Sequence, residues 1–357
     1  MLDKNNKEAI QLLIDTHNET NEDALRLISE HYFDIKDSVK TKIYGISERE
    51  ISFLLTMPTK KIYQTIRFPR EVKSSNEIST FFIKILNQAR EKAPKNYPKT
   101  RIEGLIEKTL NLETYITKVT SKRVISSNMI EITFKGGLED LPDLKNDSFM
   151  YFIVHKDIKH NYPHNFTMQK FRELGAGKEN PYSAAYYTIR NFRENEIDVW
   201  FVLHANPGPL ANWAEKVGKD DKVAIWGPRT TFSPPEATKN YLFIADETAQ
   251  PAVLSSIENL AEGSEYKCFF ETQDETSQFK YKFAENHIEW IHRKKEKPGQ
   301  GTELAKTLSQ LELDNENLYV FGAGEAKQMS IIRKLFKEKH GLKASQINFT
   351  GYWRKTI

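Results

Sequence analysis

At 357 residues, 39% of them hydrophobic and 28% charged, the chain is too long for one small core and predicts two or three domains. No apolar run nears the roughly 20 residues that span a bilayer, and Met1 to Lys7 carries no apolar signal region, so the expected compartment is the cytoplasm, without membrane insertion. The net charge of +3 comes without a clustered basic helix or an aromatic RNA motif, which argues against nucleic acid, and the single cysteine, Cys268, excludes an internal disulfide or a cysteine-ligated iron–sulfur cluster.

Residues 1–92 read as a small α+β domain. Amphipathic helices are predicted over Lys7 to Thr16 and Asn21 to Tyr32, and strands over Lys40 to Tyr44, Glu50 to Leu55 and Ile62 to Phe68, with a turn at Gly45. Ser74 with Glu77 forms a capping box, after which Ile78, Phe81, Phe82, Ile85, Leu86 and Ala89 recur at helical spacing. Residues 93–111, with Pro94, Pro98 and several lysines, form a linker and a connecting helix over Ile102 to Leu110.

From 112 to 235 the pattern turns to strands. Met129 to Phe134 alternates, Ser148 to Val154 is an apolar strand, and Lys159 to Pro181 reads as a polar loop containing aromatics. Ile197, Val199, Phe201 and Leu203 alternate against Asp198, Trp200, Val202 and His204, a period of two that delivers His204 to a loop. Asn206-Pro207-Gly208-Pro209 breaks the strand. A helix from Leu210 to Val217, carrying Trp213 and Ala214, then opens with backbone N–H groups that lack intrahelical partners and suit a phosphate. Ahead of that strand, Tyr187 offers a flat ring with a polar tip, Thr188 a hydroxyl and Arg190 a fixed positive charge. Together these are the groups a flavin dinucleotide needs. Singly, a Tyr-Thr pair is more often cross-strand packing, and a Gly-Pro loop only a turn.

From 236 to 357 strands alternate with helices, which predicts a parallel sheet with right-handed crossovers. The strands are Tyr241 to Ala245, Tyr266 to Glu271, Ile288 to Ile291, Leu318 to Phe321 and Ile347 to Thr350; the helices are Thr248 to Leu260, Leu304 to Leu311 and Lys327 to Lys339. Asp246-Glu247-Thr248 and Gly324-Glu325 follow strand ends, where such sheets bind ligands. Gly322 and Gly324 let a nucleotide approach the backbone, although a lone Gly-x-Gly is more often a turn. Basic residues gather at His292 to Lys297 and at Arg354-Lys355. The lysines of the first run read as a solvated loop, whereas Arg293 directly follows an apolar strand.

In this order the segments resemble the siderophore-interacting family of flavin-dependent ferric reductases. Its pattern runs Arg-x-Tyr-Thr-x-Arg, a strand ending in Leu-His, Gly-Pro-Ala-Ser-x-Trp-Ala and Gly-Pro-Arg. The counterparts here are Tyr187-Thr188-Ile189-Arg190, Leu203-His204, Gly208 to Ala214 and Gly227-Pro228-Arg229. The later chain agrees through Ala245 to Ala249, Pro251-Ala252, Trp290 to Arg293, Gly324-Glu325 and Gly351 to Arg354. The resemblance covers roughly 112–357 and implies a multidomain fold, with a six-stranded antiparallel flavin-binding β-barrel followed by an α/β parallel-sheet nicotinamide-binding domain. It implies FAD held by Tyr187, Thr188, Arg190, His204, Gly208, Pro209, Trp213, Ala214 and Trp353, and NADPH or NADH at Asp246, Glu247, Thr248, Gly324 and Glu325. Two positions depart from the pattern: Ala185 replaces its first arginine and Ala211 its serine. Each change removes a donor worth about 1.5–3 kcal/mol in a charge-assisted hydrogen bond. Arg172, Lys178 and Arg229 are the nearby cations that could replace the lost charge.

The amino-terminal layout is similar to the small domain that accompanies split-barrel heme-utilisation proteins, with His17-Asn18 and Asn21 at a His-Asn-x-x-Asn-like start. His17 is then either an iron ligand or, more commonly for a lone histidine at a helix end, a cap or surface group. The reaction implied is NAD(P)H-dependent reduction of a ferric siderophore, in which FAD takes a hydride and passes electrons singly, because Fe(III) accepts only one. Iron release follows, with no catalytic acid or base and no resident metal. Arg293, Arg354 and Lys355 are the expected basic pocket for an anionic chelate. The alternatives are a non-catalytic ferric-chelate or heme binder and a general flavin reductase.

Overall fold

The computed structural model describes residues 4–36, 40–72, 74–110, 112–175, 180–203, 208–281, 287–294 and 296–355. It forms two units, Met1–Asn111 and Leu112–Ile357. In the first, α1 (Lys4–Thr20) and α2 (Glu22–Leu27, continuing as a π-helical turn over Ile28–Tyr32) precede β1 (Lys40–Ile46), β2 (Glu50–Thr56) and β3 (Lys61–Arg67), and α3 (Ser75–Lys92) and α4 (Arg101–Leu110) follow. The strands make an antiparallel sheet in the order β1-β2-β3. Ile43, Ile51, Phe53 and Leu55 share a core with Ile78, Phe82 and Leu86 of α3, and the Ser74 hydroxyl caps α3 by accepting from the Glu77 N–H at 3.3 Å.

His17 belongs to that core region. Its ring lies 4.1 Å from Phe82, Asn21 bonds its Nδ1 at 3.1 Å, and burial lowers its pKa to about 4. Asn18 bonds both ways to the Ile43 backbone, at 2.9 and 2.7 Å. The His-Asn-x-x-Asn start therefore ties α1 to its own sheet and helices.

The second unit begins with β4 (Glu113–Ser126), β5 (Met129–Lys135), β6 (Phe149–His155), α5 (Met168–Gly175), β7 (Tyr182–Arg193), β8 (Glu196–Val202), α6 (Pro209–Lys216) and β9 (Lys222–Arg229). These six strands close an antiparallel barrel in the order β4-β5-β8-β7-β6-β9. Helix α5 falls inside the segment expected to be loop. Met168 and Phe171 give it an apolar side, which packs with Tyr162, Phe166, Tyr182 and Trp226 on the barrel's outer wall.

The chain continues through β10 (Asn240–Ala245), α7 (Gln250–Glu258), β11 (Glu265–Thr272), β12 (Ile288–His292), α8 (Glu303–Ser309), β13 (Leu318–Glu325), α9 (Ala326–Glu338) and β14 (Ile347–Trp353). The sheet is parallel throughout, in the order β12-β11-β10-β13-β14. Strands β13 and β14 run further than the hydrophobic pattern suggested, because pairing continues through Gly324 with Gly351 and Glu325 with Trp353. No helix among the described residues is long and apolar enough to cross a membrane.

Two polar anchors fix the barrel against the sheet. Fully buried Asp147 accepts from the Thr231 N–H at 3.0 Å, the Thr231 hydroxyl at 2.6 Å, the Phe232 N–H at 3.0 Å and the Thr230 hydroxyl, pinning the segment that leaves β9. Buried Arg190 on β7 donates to Glu258 of α7 at 2.8 and 2.9 Å and to the Tyr281 hydroxyl at 3.0 Å, and its guanidinium lies over Trp200. Asp147→Ala strands two backbone N–H groups and two hydroxyls, so it is expected to lower unfolding free energy by about 3 kcal/mol, measured by urea denaturation.

Candidate functional site

Strand β7 presents two different faces. Ala185 and Tyr187 turn toward the barrel core, where the Tyr187 ring lies 4.4 Å from Phe201 and 5.8 Å from Phe152. Tyr186 and Thr188 turn outward, opposite Tyr151 and Phe149 of β6. Thr188 meets Tyr352 of β14 where barrel and sheet join, and neither buried hydroxyl finds a hydrogen-bond partner of good geometry. Burial raises the Tyr352 pKa, the nearby charge of Asp147 adds to it, and Thr188 opposes it. Buried hydroxyls without partners carry a desolvation cost that a ligand heteroatom placed between them removes.

Helix α6 closes one end of the barrel. Trp213 and Ala214 are buried in the barrel core, with Trp213 stacked parallel to Phe134, so they hold the helix in place. Gly208 takes the N-cap position in extended backbone without a side-chain cap bond, and Pro209 follows at the first helical position. The opening turn thus presents N–H groups without intrahelical partners at the positive end of the helix dipole, which suits a pyrophosphate. His204 and Lys178 lie outside the described residues. Arg229 stands opposite Phe149 on the outer face, away from the core side that Ala185 occupies, so it does not replace the missing arginine.

At the carboxyl ends of β10, β11 and β13, Asp246, Glu247, Glu271 and Glu325 are all buried. Asp246 accepts from the Thr248 N–H at 2.9 Å, the Thr248 hydroxyl at 2.5 Å and Trp353 Nε1 at 2.7 Å, which fixes the tryptophan ring. Burial raises the Asp246 carboxyl to about 6, with Glu247 adding to the shift and the bonds from Thr248 and Trp353 opposing it. Burial likewise raises Glu271 to about 7, against the charge of Arg293 and the bond from Gln328 at 2.8 Å. Gly324 is required here: at φ +157°, a Cβ on it would stand 2.8 Å from Asp246 Oδ2.

Three expected contacts serve the scaffold. Arg293 is buried and bidentate to Glu247 at 2.5 and 2.8 Å, with Glu271 at 3.4 Å, so its charge is consumed and it forms no chelate pocket. Arg190 is likewise spent on Glu258. Glu325 caps α9, accepting from the N–H groups of Lys327 and Gln328 at 2.7 and 2.9 Å. Arg354 is exposed just beyond Trp353, and the Lys355 N–H donates to Glu325 at 3.3 Å.

A helix-capped antiparallel barrel carrying a phosphate-ready helix start, joined to a parallel sheet that ends in a ligand edge, defines a two-domain flavoprotein reductase fold. A family model described as "Siderophore-interacting FAD-binding domain" matches residues 118–232, and one described as "Siderophore-interacting protein" matches residues 238–356. The chain belongs to the siderophore-interacting family. Among relatives, the ferric acinetobactin reductase of Acinetobacter baumannii is 29% identical over 48% of this chain and 60% of its own length. The ferric vibriobactin reductase of Vibrio cholerae is 26% identical over 66% of this chain and 87% of its own. The crystal structure of a siderophore utilization protein from T. fusca superposes with a TM-score of 0.59 at 25% identity, covering 69% of this chain and 94% of that one.

Two outcomes follow from the buried carboxylates. Asp246 and Glu271 hold protons in the folded chain up to about pH 6 and 7, whereas in the unfolded chain they ionise near 4. The fold therefore binds more protons between about pH 4 and 7, and the stability these groups contribute is lost as pH rises through that window. Glu271→Gln should shrink the difference in unfolding free energy between pH 5 and pH 8, measured by urea denaturation, by on the order of 2 kcal/mol. Arg293→Ala leaves Glu247 and Glu271 unpaired and should cost about 3–5 kcal/mol in denaturant unfolding.

Proposed function

We propose that the chain is an FAD-dependent ferric-siderophore reductase that draws its electrons from NADH or NADPH. The observation that carries this is the meeting of Thr188 and Tyr352, two buried hydroxyls that make no hydrogen bond of good geometry, at the line where barrel joins sheet. The residues around them fit a flavin. The start of α6 offers N–H groups to its pyrophosphate, Thr188 and Tyr352 offer hydroxyls to ring heteroatoms, and Trp353, held by Asp246, offers an aromatic wall. When bound, FAD accepts the hydride of a nicotinamide and releases electrons one at a time, as Fe(III) requires.

The chain's own residues have positioning tasks. Arg190 and Glu258 hold the barrel wall against α7, and Asn128 at the β4–β5 turn donates to Glu247 at 3.3 Å, so the barrel and the sheet edge stay in register. The nucleotide has its place at the ends of β10 and β13, where Gly324 clears the backbone. Arg354 and Lys355, just past Trp353, are the basic residues available there to an anionic chelate. The cytoplasm is the expected compartment.

Anaerobic titration tests the reading. The protein loaded with FAD should show a flavin spectrum that NADH or NADPH bleaches, and a ferric chelate should restore it while a ferrous trap develops colour. A protein that takes up no FAD, or whose flavin neither nucleotide bleaches, is not this reductase. Thr188→Val should leave the fold intact and weaken FAD binding several-fold, the effect of one neutral hydrogen bond of ~1 kcal/mol, read by flavin fluorescence.

A further inference from the structure

We propose that the open face of the amino-terminal sheet docks, without insertion, on an anionic lipid surface, held by Lys42, Lys61 and Arg67 and by the paired rings of Tyr44 and Tyr63. The proposal stands on the first unit alone and does not need the reductase reading. Ile43, Ile51, Phe53 and Leu55 pack into the core with α3, so by strand alternation their neighbours face out. Two rows cross all three strands on that side. Lys40 stands opposite Thr56 and Thr56 opposite Lys61; in the next row Lys42 stands opposite Leu54 and Leu54 opposite Tyr63. Tyr44 and Tyr63 are 65% and 59% exposed, among the most open large hydrophobic side chains of the described residues. Their rings meet edge to face at 5.3 Å.

Strand β1 bulges between Ile43 and Gly45, so Tyr44 is the extra residue, and a glycine takes the outward place beside it, opposite Ser52. Charge decides the kind of partner. Lys40, Lys42, Lys61 and Arg67 stand exposed on this face, and Glu50, opposite Arg67, is the one carboxylate that its strands turn outward. Lys40 reaches Glu22 of α2 at 3.5 Å, whereas among the described residues no carboxylate lies within ion-pair distance of Lys42, Lys61 or Arg67. The occupant is therefore anionic. Bases of a single-stranded nucleic acid stack on ring faces, but here the edge of one tyrosine closes a face of the other, at 79°. A protein partner needs relief to interlock with, and this face offers low rows instead, with the Ser52 and Thr65 hydroxyls already bonded to each other at 3.1 Å. A headgroup layer needs neither feature. Its surface potential attracts cations, and its boundary with the acyl chains seats tyrosines, whose rings are apolar and whose tips are polar.

The test is co-sedimentation of the full chain with vesicles of two compositions, phosphatidylcholine alone and phosphatidylcholine mixed with phosphatidylglycerol. The chain should sediment with the anionic vesicles at about 50 mM salt, stay in solution with the neutral ones, and come off at about 500 mM salt, where screening cuts the attraction to a few ångströms. Lys42→Gln combined with Lys61→Gln should weaken binding to the anionic vesicles about 25-fold, roughly fivefold for each cation. Tyr63→Ser should weaken it several-fold with the salt dependence kept. Lys219→Gln combined with Lys297→Gln removes the same charge from exposed positions of the second unit and should bind as the unmodified chain does. Each variant should keep the urea midpoint of the unmodified chain, and Arg67→Gln, with a loss of about fivefold, stands in should the lysine pair disturb the fold. No binding to the anionic vesicles, equal binding to both compositions, or unchanged binding in the Lys42/Lys61 and Arg67 variants overturns the proposal. So do two results that give the face to another occupant: binding of an oligothymidylate that Tyr63→Ser abolishes, with no vesicle binding, or a concentration-dependent dimer in sedimentation velocity that Tyr63→Ser dissolves.

Discussion

The whole second unit depends on holding a barrel and a sheet in one fixed arrangement, and buried charge does that work. A guanidinium buried as Arg190 is cannot stay unpaired, so Glu258 on α7 must come to it, and Tyr281 must close the remaining side. The same logic applies to Arg293, which takes Glu247 and Glu271, while Glu247 also accepts from Asn128 of the barrel. Apolar contacts tolerate sliding, whereas bidentate ion pairs and the four donors gathered on Asp147 accept one geometry. A reaction that passes electrons between two bound molecules needs that single geometry more than it needs extra stability.

Most of the architecture was legible in the sequence, because its signals are periodic. The alternation over Ile197 to Leu203 became β8, the Gly208-Pro209 start became α6, and strands alternating with helices became a parallel sheet. Helix α5 was missed because its apolar side is only Met168 and Phe171, two residues in a polar surround that declare themselves only against the barrel wall. The ends of β13 and β14 were missed because glycines carry no pattern, yet backbone pairing runs straight through Gly324 and Gly351.

The site was less legible, for a reason specific to charged residues. Sequence shows that an arginine is present but not whether its charge is spent, and Arg190 and Arg293 both proved to be spent on carboxylates 68 and 46 positions away in the chain. Glu325 looked like a nucleotide contact and is a helix cap. Parity gave a usable clue at β7: with Tyr187 facing the core, Tyr186 had to face out, next to Thr188. The bulge that brings Arg229 beside it left no mark beyond Gly227-Pro228.

Charge is also sorted in space, and this bears on the direction of electron flow. The sheet edge carries four buried carboxylates with one guanidinium among them, and part of that excess is removed by protonation of Asp246 and Glu271, since burial disfavours their ionised forms. The outer barrel wall is the opposite, with exposed rings and an unspent guanidinium at Arg229. A reductase that meets two anionic substrates gains from this asymmetry. The buried hydroxyls of Thr188 and Tyr352 lie between these two regions, where barrel and sheet meet.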